Sequence, residues 1–303
     1  METGGVTGQT PFLRVTDPRG RPLRWVLVRA PVVRRIDAAR LADLADQGCR
    51  FAGMTSYLGF PGAGHRDERD YGAFCEAWFH CFREPDRHLP PVGPRALLSE
   101  SDFVDPRVVD PGRLAGEPLP PELTADVVYV CGAQPWKQEA KQWPLARRCL
   151  AALAAEGLRV LVVDAPHDLA PPPGVRLTGP LPWQRLLAVT AQARYVLVPG
   201  ILDPSPRVLA EALCLDVPVL VNRHILGGWK YVTPFTGAFF DDERDVVAAA
   251  AALRSRRPRP RSWFMARYGP AHAGRALLDL LRSLDPDLPP LTHALLVPDE
   301  AVG

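Results

Sequence analysis

Continuous apolar runs of strand length recur along the second half of the chain. They cover residues 126–132, 158–164, 195–199 and 218–222, with a shorter edge candidate at 175–178. Because these runs lack polar alternation, each strand should be buried on both faces of a sheet. Segments with helical spacing lie between and after them, at residues 138–156, 182–193, 207–214, 246–254 and 271–284. Alternating strands and helices of these lengths predict a doubly wound α/β domain with a parallel sheet.

The first half shows a weaker version of the same alternation. The pattern predicts strands at residues 23–30, 49–57 and 95–100, and helices at 36–47 and 71–82. In the second of these helices, Phe74, Trp78 and Phe82 would share one stripe. The fold class expected is therefore α/β, with two Rossmann-like doubly wound domains of which the N-terminal one is small.

Glycine and proline content suggests the domain boundaries. We expect a flexible start at residues 1–22, a first domain at 23–115, a linker at 116–125, a second domain at 126–284 and a C-terminal tail at 285–303. The linker overlaps the stretch of residues 105–124, which holds five prolines in loose order.

Composition narrows the class of protein. The 303 residues include 36 basic and 34 acidic side chains, for a net charge of +2, which argues against a general nucleic-acid or membrane-surface binder. Lysine occurs only at positions 137, 141 and 230, so arginine supplies nearly all the positive charge. The arginine-rich run at 254–261 is accordingly interpreted as a solvated loop between helices.

Cellular location is predicted from what the sequence lacks. The six cysteines form no CxxC pair, the first residues lack the pattern of a signal peptide, and no apolar run approaches 18 residues. These features predict reduced thiols, no membrane span and a soluble cytoplasmic protein.

Residues 199–222 carry the most informative candidate chemistry. A Gly/Pro loop with Asp203 and Ser205 follows a predicted strand, and Arg207 opens the next helix, which contains Glu211. Ligands of doubly wound sheets bind beyond the carboxyl ends of the strands. Asp203 and Glu211 are therefore expected to face one cleft.

This stretch resembles the donor-binding half of GT-B glycosyltransferases, especially the retaining group related to family 4. The match consists of Asp203, Glu211, the following Ala-Leu pair and the Pro-Val start of the next strand. The resemblance implies that Glu211 binds the ribose hydroxyls of a nucleotide and that Asp203, a Glu in the family, lies near the donor sugar.

Further segments over residues 125–284 resemble the same family. The short strand ending before Gly179 resembles the part that precedes the contacts to the nucleotide base. The loop that contains Gly227 and Gly228 resembles the Gly-Gly loop that approaches the donor, and residues 237–242 resemble the strand after it.

The diphosphate of such a donor needs positive charge or backbone N–H groups. In the family an Arg and a Lys follow the first strand of this domain; here Ala133 stands at the position of the Arg, while Lys137 and Lys141 fall near that of the Lys, after Gly132. Arg207 is a second source of charge. A solvated helix start without a ligand is the alternative for the two lysines.

The first half offers two candidates for the acceptor side. His65, in a glycine-bearing loop, could be a general base, and Asp102, after a predicted strand, could bind acceptor hydroxyls or act as base. A surface-loop histidine and a turn-forming aspartate are the alternatives.

The resemblance implies transfer of a sugar from a nucleotide sugar, UDP- or GDP-linked, by a metal-independent and retaining enzyme without a separate cofactor. No metal-spaced His/Cys cluster, Walker loop or GxSxG motif appears, and no clear nucleic-acid site. Two alternatives stay open: a non-catalytic nucleotide-sugar-binding protein, and an epimerase or hydrolase on the same scaffold. The acceptor is not identified; a small metabolite, a glycan, a protein and a nucleobase in DNA all remain candidates.

Overall fold

A computed structural model describes residues 10–62, 69–114, 118–132, 134–165 and 170–299 of the chain. The contacts divide it into two compact units. The first unit combines Met1–Phe103 with Tyr268–Gly303, and the second is Val104–Arg267. Each unit has its own sheet, and elements are numbered along the whole chain.

The first unit contains a mixed sheet of six strands among its described residues. The strands are β1 Phe12–Thr16, β2 Pro22–Val28, β3 Arg50–Met54, β4 Cys75–His80, β5 Arg95–Leu97 and β12 Leu295–Pro298. They lie in the order β12-β1-β2-β3-β4-β5. The strands β2 to β5 are mutually parallel, and β1 runs antiparallel to both of its neighbours.

The helices of the first unit are α1 Arg35–Asp46 and α9 Pro270–Leu284. Leucines of α9 form a core with apolar side chains of the sheet, among them Trp25, Leu27 and Phe79. This packing explains why α9, predicted as the end of the second domain, lies in the first unit.

Both chain ends were expected to be irregular, and that expectation is wrong for two segments. Residues 12–16 form β1, which lies between β2 and β12, and residues 295–298 form β12. Asp299 ties the two ends together because it pairs with Arg14 at 2.8 Å and with Arg40 at 2.6 Å. The partners are almost the whole chain apart, so a local pattern could not reveal them.

The prediction of a helix at residues 71–82 is also wrong, because Cys75–His80 forms the strand β4. Side chains on both faces of β4 are buried: Ala77 and Phe79 pack in the core that contains α9, and Trp78, on the other face, is also buried. Trp78 packs directly against Gly53 of β3: a Cβ built on that glycine would lie 2.2 Å from the indole ring. The spacing of the aromatic residues therefore reflects two buried faces of a strand and not a helical stripe.

The second unit contains a parallel sheet and most of the helices. Its strands are β6 Val127–Val130, β7 Val160–Val163, β8 Val175–Leu177, β9 Tyr195–Val198, β10 Val219–Asn222 and β11 Gly237–Phe240. Its helices are α2 Pro111–Leu114, α3 Pro135–Ala140, α4 Trp143–Ala155, α5 Trp183–Ala191, α6 Arg207–Cys214, α7 Val246–Arg256 and α8 Pro260–Met265.

The strand order β11-β10-β9-β6-β7-β8 is that of the dinucleotide-binding Rossmann fold, with the first strand of the unit beside the fourth. The chain changes direction across the sheet between β6 and β9. This switch point is where the loops after two neighbouring strands leave toward opposite faces, so a crevice opens there. The predicted fold class, two parallel-dominated α/β domains, is confirmed.

Two details of the second unit differ from the prediction. The single helix expected at 138–156 is divided into α3 and α4, since Gln142 adopts a left-handed conformation (φ 55°) and Pro144 cannot continue an α-helix. Residues 104–114, expected in the first domain, belong to the second unit. Arg261 holds them there by donating to the carbonyls of Pro106, at 2.9 Å, and Val109, at 3.1 Å.

The arginine run at 254–261 is therefore only in part a solvated loop. Arg261, at its end, also donates to the carbonyl of Cys214 and lies 3.6 Å from Asp110. In the part of the chain that the structure describes, no helix is long and apolar enough to cross a membrane.

Candidate functional site

Several predicted site residues of the second unit lie on the segments that follow β6 and β9, the two strands at the switch point of its sheet. The loop after β6 contains Gly132, and the loop after β9 contains Gly200. The β9 loop passes close to the end of α3: a Cβ built on Gly200 would lie 3.0 Å from the carbonyl oxygen of Ala140 and 3.1 Å from the Cα of Lys141. The β9 loop thus packs against the end of α3, the helix that follows the loop after β6.

Lys137 lies over the end of β6. Gly132 has a φ of +89°, and a Cβ built there would lie 2.6 Å from Cδ and 3.0 Å from Cβ of Lys137. The glycine therefore serves two needs, a left-handed backbone and room for the lysine side chain. The half-buried side chain of Lys137 thus lies beyond the carboxyl end of β6, the first strand of the unit.

Asp203 folds back on its own loop. Its Oδ1 accepts a hydrogen bond from the backbone N–H of Ser205 at 3.1 Å. Desolvation raises the pKa of Asp203, whereas the positive charge of Lys141 and the Ser205 N–H act in the opposite direction. Asp203 and Lys141, which the sequence placed on separate segments, are therefore close enough to interact.

The Gly-Gly loop docks onto the same segment. The N–H of Gly227 donates to the carbonyl of Asp203 at 3.0 Å. A Cβ on Gly227 would lie 1.8 Å from the carbonyl oxygen of Pro204, and Gly228 has a φ of +78° with Pro206 and Leu209 beside it. Both positions require glycine, because a side chain there would clash with the segment that follows β9. The loop after β10 therefore packs directly against the loop after β9.

Glu211 lies in α6 and is 6% exposed. Its Oε1 accepts two hydrogen bonds at 2.9 Å, one from Nε of Arg207 and one from Nε1 of Trp183. Its Oε2 accepts no hydrogen bond from the described residues. One carboxylate oxygen is thus fixed by the protein, while the other keeps its acceptor capacity.

Sequence reasoning missed Trp183. It is 28 residues from Glu211 in the chain, and the sequence predicted only a helix in its neighbourhood. The available signal was a tryptophan near the start of a helix at the carboxyl edge of the sheet, where ligands bind in such folds.

The other predicted site residues lie elsewhere. Gly179 follows β8, the outermost strand, and its carbonyl accepts from the N–H of Asp164 at 3.3 Å. Asp102 lies in the first unit, is 1% exposed and accepts from the N–H of Ser99 at 2.7 Å. This is the turn-forming arrangement that the sequence left as the alternative. His65 and Ala133 lie outside the described residues.

Acidic residues at the end of β11 are engaged with arginines. Asp241 pairs with Arg223 at 3.1 Å, and Asp242 pairs with Arg244. The described residues contain no group of three or more His, Cys, Asp or Glu side chains placed to hold a metal ion.

No model of a known protein family matches the sequence, and no curated protein matches it either. Solved structures do match. Sucrose-phosphate synthase from Thermosynechococcus elongatus aligns with a TM-score of 0.54 and 14% identity, over 82% of this chain and 71% of that one. A glycosyltransferase from Rickettsia africae ESF-5 aligns with a TM-score of 0.57 and 11% identity, over 86% and 76%.

HepE from Anabaena, solved in complex with UDP-glucose, aligns with a TM-score of 0.53 and 12% identity, over 83% of this chain and 76% of that one. At these identities the likeness concerns the fold. It agrees with the two parallel-dominated sheets and with the Rossmann strand order of the second unit. The chain has the fold of the GT-B glycosyltransferases.

Proposed function

We propose that the second unit binds a nucleoside-diphosphate sugar at the switch point and that the protein transfers this sugar to an acceptor. The observation that carries the proposal is Glu211, a buried carboxylate with one oxygen held by Trp183 and Arg207 and the other without a hydrogen bond from the described residues. The likeness to HepE, which was solved with UDP-glucose, supports a nucleotide sugar as the donor.

The ribose would bind at Glu211. A carboxylate only accepts hydrogen bonds, and a ribose offers two neighbouring hydroxyl donors. Oε2 has the lone pairs to accept both, because the protein's own donors are concentrated on Oε1. Hydrogen bonds to a charged acceptor contribute about 1.5–3 kcal/mol each, enough to orient a nucleotide.

The diphosphate would bind beside Lys137. The side chain of Lys137 packs over Gly132, two residues after β6, and the Gly-Gly loop and the start of α6 bring backbone N–H groups to the same edge of the sheet. The side chain of Arg207 is 67% exposed and uses Nε for Glu211, so its two terminal nitrogens can still meet phosphate oxygens. This set of donors supplies positive charge without a bound cation.

The reaction we propose breaks the bond between the anomeric carbon and the diphosphate oxygen and forms a bond from that carbon to an acceptor oxygen. The diphosphate leaves with the bonding electrons, and its departing oxygen takes up the proton that the acceptor hydroxyl loses. Lys137 would stabilise the charge that develops on the leaving group. Asp203, on the loop that contacts the Gly-Gly segment, is assigned to the donor sugar, and retention of the anomeric configuration is the expected stereochemistry.

Donor binding tests this proposal. Calorimetry or thermal unfolding with UDP- and GDP-sugars should reveal a ligand, and a donor at 100 times its Kd should add about 2.7 kcal/mol to the free energy of unfolding. Glu211→Gln should weaken binding by about 1.5 kcal/mol or more, because the amide supplies one acceptor oxygen in place of two.

Asp126→Asn is the matched control. Asp126 is a buried carboxylate of the same unit that also pairs with arginines, Arg159 at 3.1 Å and Arg194 at 3.0 Å, but it precedes β6 at the opposite end of the strand. This variant should lose stability and keep donor affinity. Equal affinities for wild type and a folded Glu211→Gln protein would contradict the assignment of the ribose site.

A further inference from the structure

Trp183 combines an exposed ring with an anchored edge. It is the first residue of α5, and 41% of it is exposed. Its indole N–H nevertheless donates to Glu211 Oε1 at 2.9 Å, which joins the start of α5 to the interior of α6. A large side chain is thereby held at the carboxyl edge of the sheet by a charge-assisted hydrogen bond.

A second donor reaches the same oxygen. Nε of Arg207 lies 2.9 Å from Glu211 Oε1, and the guanidinium carbon of Arg207 lies 5.6 Å from the centre of the Trp183 ring. Trp183, Arg207 and Glu211 therefore each contact the other two, and both donors meet at Oε1 of Glu211. Two donors on one oxygen restrict rotation of the carboxylate, which would otherwise turn freely about its last torsion angle.

This restriction has a chemical consequence for Oε2. A carboxylate has about four lone-pair sites, and two of them are used at Oε1. The two on Oε2 match the two O–H donors of a vicinal diol. Without Trp183, the carboxylate could rotate and divide its acceptor sites between both oxygens, so the diol would lose a preformed partner.

We propose that Trp183 is a positioning residue that holds Glu211 in the orientation required to bind the 2′- and 3′-hydroxyls of the donor's ribose. The second unit would then select ribonucleotide donors over nucleotides that lack these hydroxyls. This inference rests on the proposed function, since it concerns the ribose of the same donor.

A purely structural tryptophan makes a different prediction. If Trp183 only packed against its neighbours, its replacement would weaken every nucleotide to the same degree. Trp263 in α8 provides a matched control, because the guanidinium carbon of Arg267 lies 5.0 Å from the centre of its ring. It has the same pairing of tryptophan and arginine and lies on another helix of the same unit.

The experiment compares nucleotide affinities by calorimetry. UDP, GDP and ADP are tested first on the full chain, and the tightest binder is then compared with its 2′,3′-dideoxy counterpart. The proteins are wild type, Trp183→Phe, Glu211→Gln, the double variant and Trp263→Phe. Urea unfolding of each variant checks that it is folded.

The inference predicts that Trp183→Phe weakens the ribonucleotide about fivefold to tenfold and changes the dideoxy affinity by less than about twofold. The effects of Trp183→Phe and Glu211→Gln should be less than additive, because one acts through the other. Trp263→Phe should leave both affinities unchanged.

Two results would overturn the role of Trp183: equal losses for the ribose and dideoxy ligands, or unchanged ribonucleotide affinity in Trp183→Phe. A wild-type protein that binds none of the three nucleotides contradicts the proposed function itself, and the inference then fails with it. If the wild-type protein binds a nucleotide and Trp183→Phe binds it equally well, the role of Trp183 is contradicted while the proposed function is not.

Discussion

The side chain of Lys137 lies over Gly132, so closely that a Cβ on the glycine would be 2.6 Å from the lysine Cδ. The contact sets the lysine at the carboxyl end of β6, beside the switch point of the sheet. Any side chain at position 132 would have to displace it. The absence of a side chain at Gly132, two residues after β6, thus determines the position of the Lys137 side chain.

Gly132→Ala should therefore weaken diphosphate binding by displacing Lys137. We expect about a tenfold loss of affinity for a nucleoside diphosphate and a smaller loss for the nucleoside, since the lysine acts on the phosphates. The left-handed backbone of position 132 should also cost about 1–2 kcal/mol of stability. Calorimetry and urea unfolding measure the two effects.

Gly157→Ala is the control for that experiment. Gly157 has a similar φ of +77°, and a Cβ there would meet no atom within 4 Å. This variant should lose a similar amount of stability and keep full affinity. If both variants bind the nucleoside diphosphate equally well, the placement of Lys137 by Gly132 has no role in binding.

Lys137→Ala should lower kcat more than it raises KM. If the amine acts on charge that develops as the sugar leaves, its loss removes stabilisation of the transition state, with an expected effect on kcat of about 10²–10³-fold. Lys137→Arg should restore activity only in part, because a planar fork replaces a point charge. Steady-state kinetics of Lys137→Ala within about threefold of wild type, with an inactive Arg207→Ala, would transfer this role to Arg207.

Transfer should continue in EDTA. Lys137, Arg207 and backbone N–H groups are proposed to meet the diphosphate charge, and the acidic pair Asp241 and Asp242 is engaged with Arg223 and Arg244. The measurement is the initial rate before and after chelation, with Mn²⁺ and Mg²⁺ added back. An activity that disappears in EDTA and returns with either ion would refute the metal-independent mechanism.

Asp285 should make the stability of the first unit depend on pH. This aspartate has no exposed surface, and its pKa is lowered by hydrogen bonds from Arg24 and then from Trp25. A folded-state pKa below the unfolded value of about 3.9 stabilises the protein above about pH 4, and this contribution is lost as the pH falls through the folded-state pKa.

Asp285→Asn should accordingly cost about 2–3 kcal/mol at pH 7, and this cost should shrink below about pH 4. Urea unfolding between pH 7 and pH 3 measures it. Asp279→Asn is the control, since Asp279 lies in α9, which ends just before Asp285, is 66% exposed and lies 4.0 Å from Arg282. A cost for Asp285→Asn that stays constant over this pH range would show that its ionisation does not stabilise the fold.

Much of the second unit could be predicted from the sequence, because its strands are apolar runs bounded by glycine and proline. The helix at residues 207–214 was predicted with its observed bounds, and the edge position of β8 was also correct. The inner strands of this unit, such as β7, β9 and β10, are buried along their whole length on both faces of the sheet, so their hydrophobicity alone identifies them.

The first unit was harder to predict because its structure depends on distant partners. The strand β1 pairs with β12 at the other end of the chain, and β4 is a strand because β3 and β5 flank it. The hydrogen bond between Trp183 and Glu211 also depends on residues that are distant in the sequence. It joins the start of α5 to the interior of α6, and hydrophobic periodicity does not predict it. Such contacts appear only once the chain is folded.

The central claim is that this protein releases a nucleoside diphosphate from a nucleotide sugar at a site that contains Glu211. The most direct measurement is nucleoside diphosphate released from a panel of UDP- and GDP-sugars, with a mixture of candidate acceptors, by wild type and by Glu211→Gln. We predict release by the wild-type protein from at least one donor, and kcat/KM about tenfold or more lower for the variant. A wild-type protein that binds a nucleotide sugar without releasing the diphosphate, or a variant as active as wild type, would contradict the account.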